Sequence, residues 1–152
     1  MDSDSRVPYW GLPDPYTQGE FYDNVPTKRL VAFVFDWIII GLITALLVPF
    51  TAFTALFYLP FLAMVVGFAY RTITIANGSA TLGMRLTGIE FRKDNGETFD
   101  LMTAAAHTLL YSIFFSMFLP QVLSIVLMLT TERGQSLPDV ILRTAAIKRA
   151  RD

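Results

Sequence analysis

The chain of 152 residues contains no cysteine, only one histidine and few charged residues. The absence of cysteine excludes disulfides, thiolate metal sites and cysteine nucleophiles, and a single histidine excludes a metal site built from several histidines. Charged residues make up 16% and apolar residues 53% of the chain, whereas soluble domains carry about a quarter charged residues. The composition therefore indicates an integral membrane protein of one domain.

Motifs that indicate an enzyme or a cofactor site are also missing. The sequence contains no nucleophile–base pair, phosphate-binding loop or metal-ligand spacing. We therefore expect no enzymatic activity, no cofactor and no nucleic-acid partner. The expected partners are the lipid bilayer and either further copies of the chain or another membrane protein, because so small a bundle encloses a path across the bilayer only as an oligomer.

Residues 1–27 lack the pattern of a secretory signal peptide. The first 28 residues hold five acids, four prolines and no long apolar stretch. We expect them to form an irregular cytoplasmic or interfacial segment, rich in the aromatic residues that favour the membrane–water boundary. The first membrane span is then expected to act as its own insertion signal.

The first long apolar region runs from Leu30 to Tyr70 and contains Asp36 as its sole charged residue. A span requires about 20 apolar residues, so the region predicts two helices with a turn at 48–51. The second helix is expected to cover 53–70, to be kinked at Pro60 and to be closed by Arg71 at the membrane interface.

The second apolar region, residues 99–131, has two interpretations. It is either one span with Pro120 at its centre, or a helix followed by a short returning helix with the turn at Pro120-Gln121. The predicted fold is therefore an all-α bundle of four membrane segments, with three spans as the alternative.

The distribution of positive charge favours the returning helix. Every Lys and Arg lies in one of three polar segments, and the connections near Pro49 and Pro120 carry none. Because Lys and Arg near span ends favour the cytoplasm, the sequence predicts a multi-pass protein of the inner or plasma membrane with both termini cytoplasmic. The segment GIEFRK, 88–93, can pair as a strand with TAAIKRA, 144–150, in a small cytoplasmic cap.

Asp36 is the strongest candidate for a functional residue. An aspartate at the centre of a membrane helix costs about 2.5–3.5 kcal/mol on insertion scales, so its side chain should face other helices rather than lipid. One interpretation is an ion or proton site. The other is a buried polar clasp that fixes helix packing.

Arg29 and Asp139 are further candidates. Arg29 lies almost two turns before Asp36 on one stripe of the same helix, about 10 Å away along the axis, and is otherwise an ordinary cytoplasmic anchor. Ser136 and Asp139 have the spacing of a helix start, and Asp139 alternatively forms a salt bridge with Arg29 or Arg85. His107 is interpreted as a polar contact of its helix or as a proton carrier.

The order KRLVAFVFD, GSATLGMRLTGIEFRKDNG and SLPDVILRTAAI resembles the RDD family of small membrane proteins. That family is named for an arginine at the start of its first span, an aspartate within the span and a later aspartate, which correspond to Arg29, Asp36 and Asp139. The resemblance covers about residues 27–150, which includes the whole of the predicted membrane domain, residues 28–150. The family's T-P-G-K-R element reads TLGMR here, so its proline and lysine are missing while Thr81, Gly83 and Arg85 remain.

The resemblance implies a modest set of functions. The family is largely uncharacterised, and a transport role, including cation or proton exchange, has been suggested for it. His107 lies where members often carry a basic residue. Two hypotheses follow: a membrane scaffold or assembly component, which we favour, and ion- or proton-coupled transport of a small ligand through Asp36.

Overall fold

A computed structural model of the protein describes residues 11–149. The first ten residues of the N-terminal segment and residues 150–152 lie outside the described residues, so the prediction about the two termini falls partly on them. The described part of the chain forms six α-helices and one two-stranded sheet. In chain order these are α1 (Val25–Phe50), α2 (Leu59–Gly78), α3 (Leu82–Thr87), β1 (Ile89–Lys93), α4 (Leu101–Phe115), α5 (Phe118–Thr130), α6 (Leu137–Leu142) and β2 (Thr144–Lys148).

Helix α1 is a long apolar helix with one buried stripe. Pro26 occupies its first turn, where a missing N–H costs nothing. Its 26 residues extend about 39 Å, longer than the roughly 30 Å hydrocarbon layer. The residues buried along it recur every four or seven positions, and apolar side chains on its other faces are exposed as in a helix surrounded by lipid. The buried set is Val25, Ala32, Asp36, Ile40 and Thr44.

The connection between α1 and α2 differs from the prediction in two details. Helix α1 continues to Phe50, and a short 3-10 turn leads into α2 at Leu59. Pro60 lies in the first turn of α2 rather than at a kink within it. Arg71 does not end the helix, since α2 continues for two more turns to Gly78 and buries the Arg71 side chain.

Helices α4 and α5 form a sharply bent pair. They meet at Ser116 and Met117 with an angle of 117°, so the predicted turn at Pro120-Gln121 is displaced by one helical turn. Pro120 is accommodated in the first turn of α5. Two helices, α1 and α2, are long and apolar enough to cross a membrane alone, and a third span is obtained when α4 and α5 are taken as one bent span.

The remaining elements form a small cap (residues 79–100 and 131–149) at one end of the helices. Strands β1 and β2 pair antiparallel, with Phe91 opposite Ala146, which confirms the predicted short β pairing. Residues 11–24 also pack on this sheet, where Leu12 and Tyr22 contact Ala145 and Ile147 in an apolar cluster.

The main apolar core lies between the cap and the ends of α1, α2 and α4. Ile75 of α2 and Ile89 and Phe91 of β1 are among the largest fully buried side chains. The Phe91 ring stacks on Phe99 with 5.1 Å between ring centroids. The cap is therefore packed into the bundle, and it brings polar residues of α3 and α6 against α1.

Candidate functional site

Asp36 is buried between α1, α2 and the start of α3, with 3% of its surface exposed. The Tyr70 hydroxyl of α2 donates to Oδ1 at 2.7 Å, and the Thr81 hydroxyl donates to Oδ2 at 2.6 Å. The backbone N–H of Gly83 donates to Oδ1 at 2.9 Å. Three donors from two other helical segments thus replace the water that an exposed carboxylate would bind.

The local sequence of α3 creates this arrangement. Thr81 is the N-cap of α3, and its hydroxyl accepts a hydrogen bond from the Met84 N–H while donating to Asp36. Gly83 permits close contact with α1, because a Cβ at this position would lie 2.3 Å from the Ala32 carbonyl oxygen and 2.8 Å from Asp36 Oδ1. The TLGMR element therefore serves as the docking surface of α3 on α1.

Asp139 is completely buried and is surrounded by donors. Arg29 Nη1 donates to Oδ2 at 2.6 Å, and His107 Nε2 and the Thr144 hydroxyl lie 2.7 and 2.9 Å from Oδ1. The backbone N–H of Ser136 donates to Oδ2 at 3.0 Å as one half of a capping box at the start of α6, and the Ser136 hydroxyl donates to the same oxygen at 3.0 Å.

Arg29 links α1 to the cap through several contacts. Besides Asp139, its guanidinium donates to the Gly134 carbonyl at 3.2 Å and to the Ser136 hydroxyl at 3.3 Å. Burial alone would raise the pKa of the Asp139 carboxyl, but the adjacent Arg29 cation holds that pKa below its ordinary value. Asp139 is therefore an anion paired with Arg29 at any physiological pH.

His107 of α4 completes the contacts of Asp139 from a third direction. Its ring is 1% exposed and packs against the rings of both Phe91 and Phe99, with centroid distances of 4.6 and 5.6 Å. The hydrogen bond to the carboxylate places a proton on Nε2, and Nδ1 has no partner within residues 11–149. A neutral imidazole fits this environment, since a second buried N–H would have no acceptor.

Arg85, the other secondary candidate, lies apart from both carboxylates. Its Nη2 donates to the Thr74 carbonyl at 3.0 Å, near the C-terminal end of α2. The side chain thus supports a helix end, where a cation also complements the helix dipole. Asp139 pairs with Arg29 rather than with Arg85.

Sequence reasoning missed the role of Arg71 and Tyr70. Arg71 is 8% exposed, and its guanidinium carbon lies 3.8 Å from the centroid of the Tyr111 ring of α4. The apolar run before Arg71 suggested an interface position, but the helix extends past it. An arginine placed mid-helix beside aromatic residues was the available signal.

Several of these charged residues line a common cavity of about 420 Å³. Arg29, Asp36 and Arg71 lie on its wall, together with Gln121 and Ser124 of α5. Within residues 11–149, no group of three or more acidic or histidine side chains is placed to hold a metal ion. The mainly apolar space is therefore lined by one hydrogen-bonded carboxylate, Asp36, and by two cations, Arg29 and Arg71.

The comparison with known proteins identifies a family for the chain. No curated protein and no solved structure matches the chain significantly. The sequence model of the RDD family matches residues 25–143, from the start of α1 to the end of α6. Arg29, Asp36 and Asp139 all lie within this match, which covers most of the chain, and the protein is thus a member of the RDD family.

Proposed function

We propose that the protein is a non-enzymatic membrane scaffold that holds a polar cap in a fixed position on its membrane helices. The observation that carries the proposal is that α1 contacts the cap at two positions along its axis. Asp36 binds α3, and Arg29 binds Asp139 of α6. A helix held at two points cannot slide or rotate without breaking hydrogen bonds to a buried carboxylate. Such a rigid cap suits the assembly of other proteins at the membrane surface.

The hydrogen bonding of the carboxylates supports a structural role. Asp139 accepts five hydrogen bonds, from Arg29, His107, Thr144 and twice from Ser136, although a carboxylate offers only about four lone-pair positions. A transported cation would therefore have no free carboxylate oxygen to bind at Asp139, and the positive charge of Arg29 would repel it.

Charge distribution supports a cytoplasmic cap. The loops at the far end of the helices, residues 51–58 and 116–117, contain no Lys or Arg, whereas the cap contains several. Because positive residues near span ends favour the cytoplasm, we place the cap inside the cell at the plasma or inner membrane. The exposed apolar faces of α2 and α5 are then available to lipid, to further copies of the chain or to a membrane-protein partner.

Ion- or proton-coupled transport remains the second candidate because Asp36 lies on the wall of the cavity. Its three hydrogen bonds leave one lone-pair position unused. An intramembrane carboxylate beside an accessible space is the minimal requirement for a proton or cation site. Transport by this route requires that Tyr70 or Thr81 release the carboxylate.

Reconstitution into liposomes with an entrapped pH-sensitive dye separates the two functions. If the protein is a scaffold, an imposed sodium or potassium gradient gives the same dye response in liposomes with wild type and in empty liposomes. Asp36→Asn then lowers the melting temperature, because the three hydrogen-bond donors to the carboxylate face an amide instead. Glu97→Gln, at an exposed cap position, is the matched control and leaves both readouts unchanged. Saturable flux that Asp36→Asn abolishes without a change in melting temperature or oligomer size establishes transport instead.

A further inference from the structure

Among residues 11–149, the buried guanidinium of Arg71 has no acceptor for its N–H groups. Within residues 11–149 it makes no ion pair and no side-chain hydrogen bond, and its Nε is fully buried without a partner. Its contact with the Tyr111 ring covers one face of the guanidinium but satisfies none of its five donors. A buried, unpaired charge is costly, so the environment of Arg71 calls for an anionic acceptor.

The neighbouring charged residues do not supply this acceptor. Asp36 shares the cavity wall with Arg71, but its carboxylate lies beyond ion-pair distance and is bound by Tyr70, Thr81 and Gly83. Arg29, the other cation on the wall, is already paired with Asp139. Arg71 is therefore the cation on the cavity wall whose donors have no acceptor among residues 11–149.

The rest of the cavity suits a hydrocarbon chain. Its wall includes Phe33 of α1, Phe114 of α4 and Ile125 and Met128 of α5. The volume of about 420 Å³ falls within the range of about 300–1,000 Å³ typical of ligand pockets. One polar end with free donors and a long apolar wall together match an amphiphile with an anionic head.

The cavity opens sideways towards the bilayer. Leu30 of α1 and Leu129 of α5 both line it, yet they are 63% and 70% exposed. Side chains so exposed lie at an opening rather than within an enclosed space. The opening lies beside exposed apolar side chains of α1 and α5, so an acyl chain can enter it from the bilayer.

We propose that the cavity binds one membrane lipid with an anionic headgroup, whose phosphate accepts hydrogen bonds from Arg71 while an acyl chain lies along α5. This binding activity goes beyond the scaffold role. Zwitterionic and anionic lipids both carry a phosphate, but the quaternary ammonium of a zwitterionic headgroup would add a cation beside Arg29 and Arg71, whereas a headgroup with net negative charge adds none. The protein therefore selects anionic over zwitterionic lipids.

Native mass spectrometry of the full-length protein tests the proposal. The protein is extracted from nanodiscs that contain equal amounts of phosphatidylglycerol and phosphatidylcholine with identical acyl chains. Wild type is expected to retain one phosphatidylglycerol, and Arg71→Gln to reduce its retention about tenfold or more, since charge-assisted hydrogen bonds contribute about 1.5–3 kcal/mol. Arg143→Gln, which removes an exposed arginine of the cap, is the charge-matched control and retains the lipid as wild type does.

A second pair of variants keeps the test valid if Arg71→Gln does not fold. Met128→Trp fills the cavity while Arg71 is unchanged, and Leu123→Trp adds the same bulk to α5 at an exposed position that does not line the cavity. Loss of lipid from Met128→Trp alone supports the proposal. Equal retention of both lipids by wild type, or undiminished phosphatidylglycerol in Met128→Trp, overturns it.

Discussion

The guanidinium of Arg29 lies 2.6 Å from the carboxylate of Asp139, although 110 positions separate the two residues in the chain. The pair joins the start of the first membrane helix to a short helix near the C-terminal end of the described residues. Asp139 is fully buried and Arg29 nearly so, with side-chain exposures of 0% and 13%. The strength of this link determines how firmly the cap is held on α1.

Replacing Arg29 alone should destabilise the protein strongly. Arg29→Met leaves Asp139 as an uncompensated buried anion, and we expect a loss of about 3–5 kcal/mol in the free energy of unfolding. The double variant Arg29→Met with Asp139→Asn should recover part of this loss, with a coupling energy of about 1–3 kcal/mol in detergent unfolding experiments. Lys28→Met, which removes the neighbouring cation, is the control; additive single effects in the double variant would contradict the link.

The stability of the protein should depend on acidity through Asp139. Its pKa in the folded state is held below the ordinary value of 3.8, so its contribution to stability is fully present above about pH 4 and is lost as the pH falls further, because the unfolded chain then binds the proton more readily. The melting temperature of wild type should therefore decrease more steeply below about pH 4 than that of Asp139→Asn. Glu97→Gln should keep the steep wild-type dependence, and parallel curves for wild type and Asp139→Asn would exclude this linkage.

Gly83 should not tolerate a side chain. The added methyl group of Gly83→Ala meets the Ala32 carbonyl oxygen and the Asp36 carboxylate, so α3 has to move away from α1. We expect a loss of about 1–3 kcal/mol, typical of overpacking, together with increased proteolysis of the cap. Gly41→Ala makes the same change on α1 where no atom lies within 4 Å, and a similar loss in this variant would show that the close contact is unimportant.

Cysteine labelling should place both strands on one side of the membrane. The natural chain contains no cysteine, so single cysteines at Asn95, Arg143 and Phe57 can be read without background. The antiparallel pairing of β1 with β2 requires that positions 95 and 143 react from the same side, whereas position 57 lies in the loop at the other end of α1 and should react from the opposite side. Labelling of 95 and 143 from different sides is incompatible with the sheet.

A cysteine at Leu119 addresses the number of crossings separately. This position follows the bend between α4 and α5 and is exposed. Reaction of this cysteine from the same side as position 57 indicates that the bend reaches the far surface and that four segments cross. Protection from water-soluble reagents on both sides indicates a re-entrant pair whose bend remains within the hydrocarbon layer.

Several features of the fold and the site could be predicted from the sequence alone. An aspartate within a long apolar run cannot face lipid cheaply, and Asp36 is buried in the structure. The pairing of β1 with β2 could be predicted for a different reason, since alternating side chains and a turn mark the first strand. The family signature identified Arg29 and Asp139 as candidates before any contact between them was known.

Contacts between residues that are far apart in the chain could not be predicted from the sequence. The donors to Asp36 come from Tyr70, Thr81 and Gly83, which lie 34 to 47 positions away, and no local pattern encodes such distant contacts. Arg71 was placed at a helix end because the apolar run stops there and a polar segment follows, but α2 remains helical to Gly78 and packs against α4. Tertiary packing overrode local preference at this position.

The two contacts of α1 with the cap become possible at different times during synthesis of the chain. Asp36 acquires all of its donors once residue 83 has been synthesised, whereas Arg29 waits for Asp139. During most of translation the start of the first helix therefore carries a cation whose carboxylate partner has not yet been synthesised. A chain that ends before residue 139 therefore lacks the carboxylate that joins α6 to α1, although it already contains every residue of the contact between Asp36 and α3.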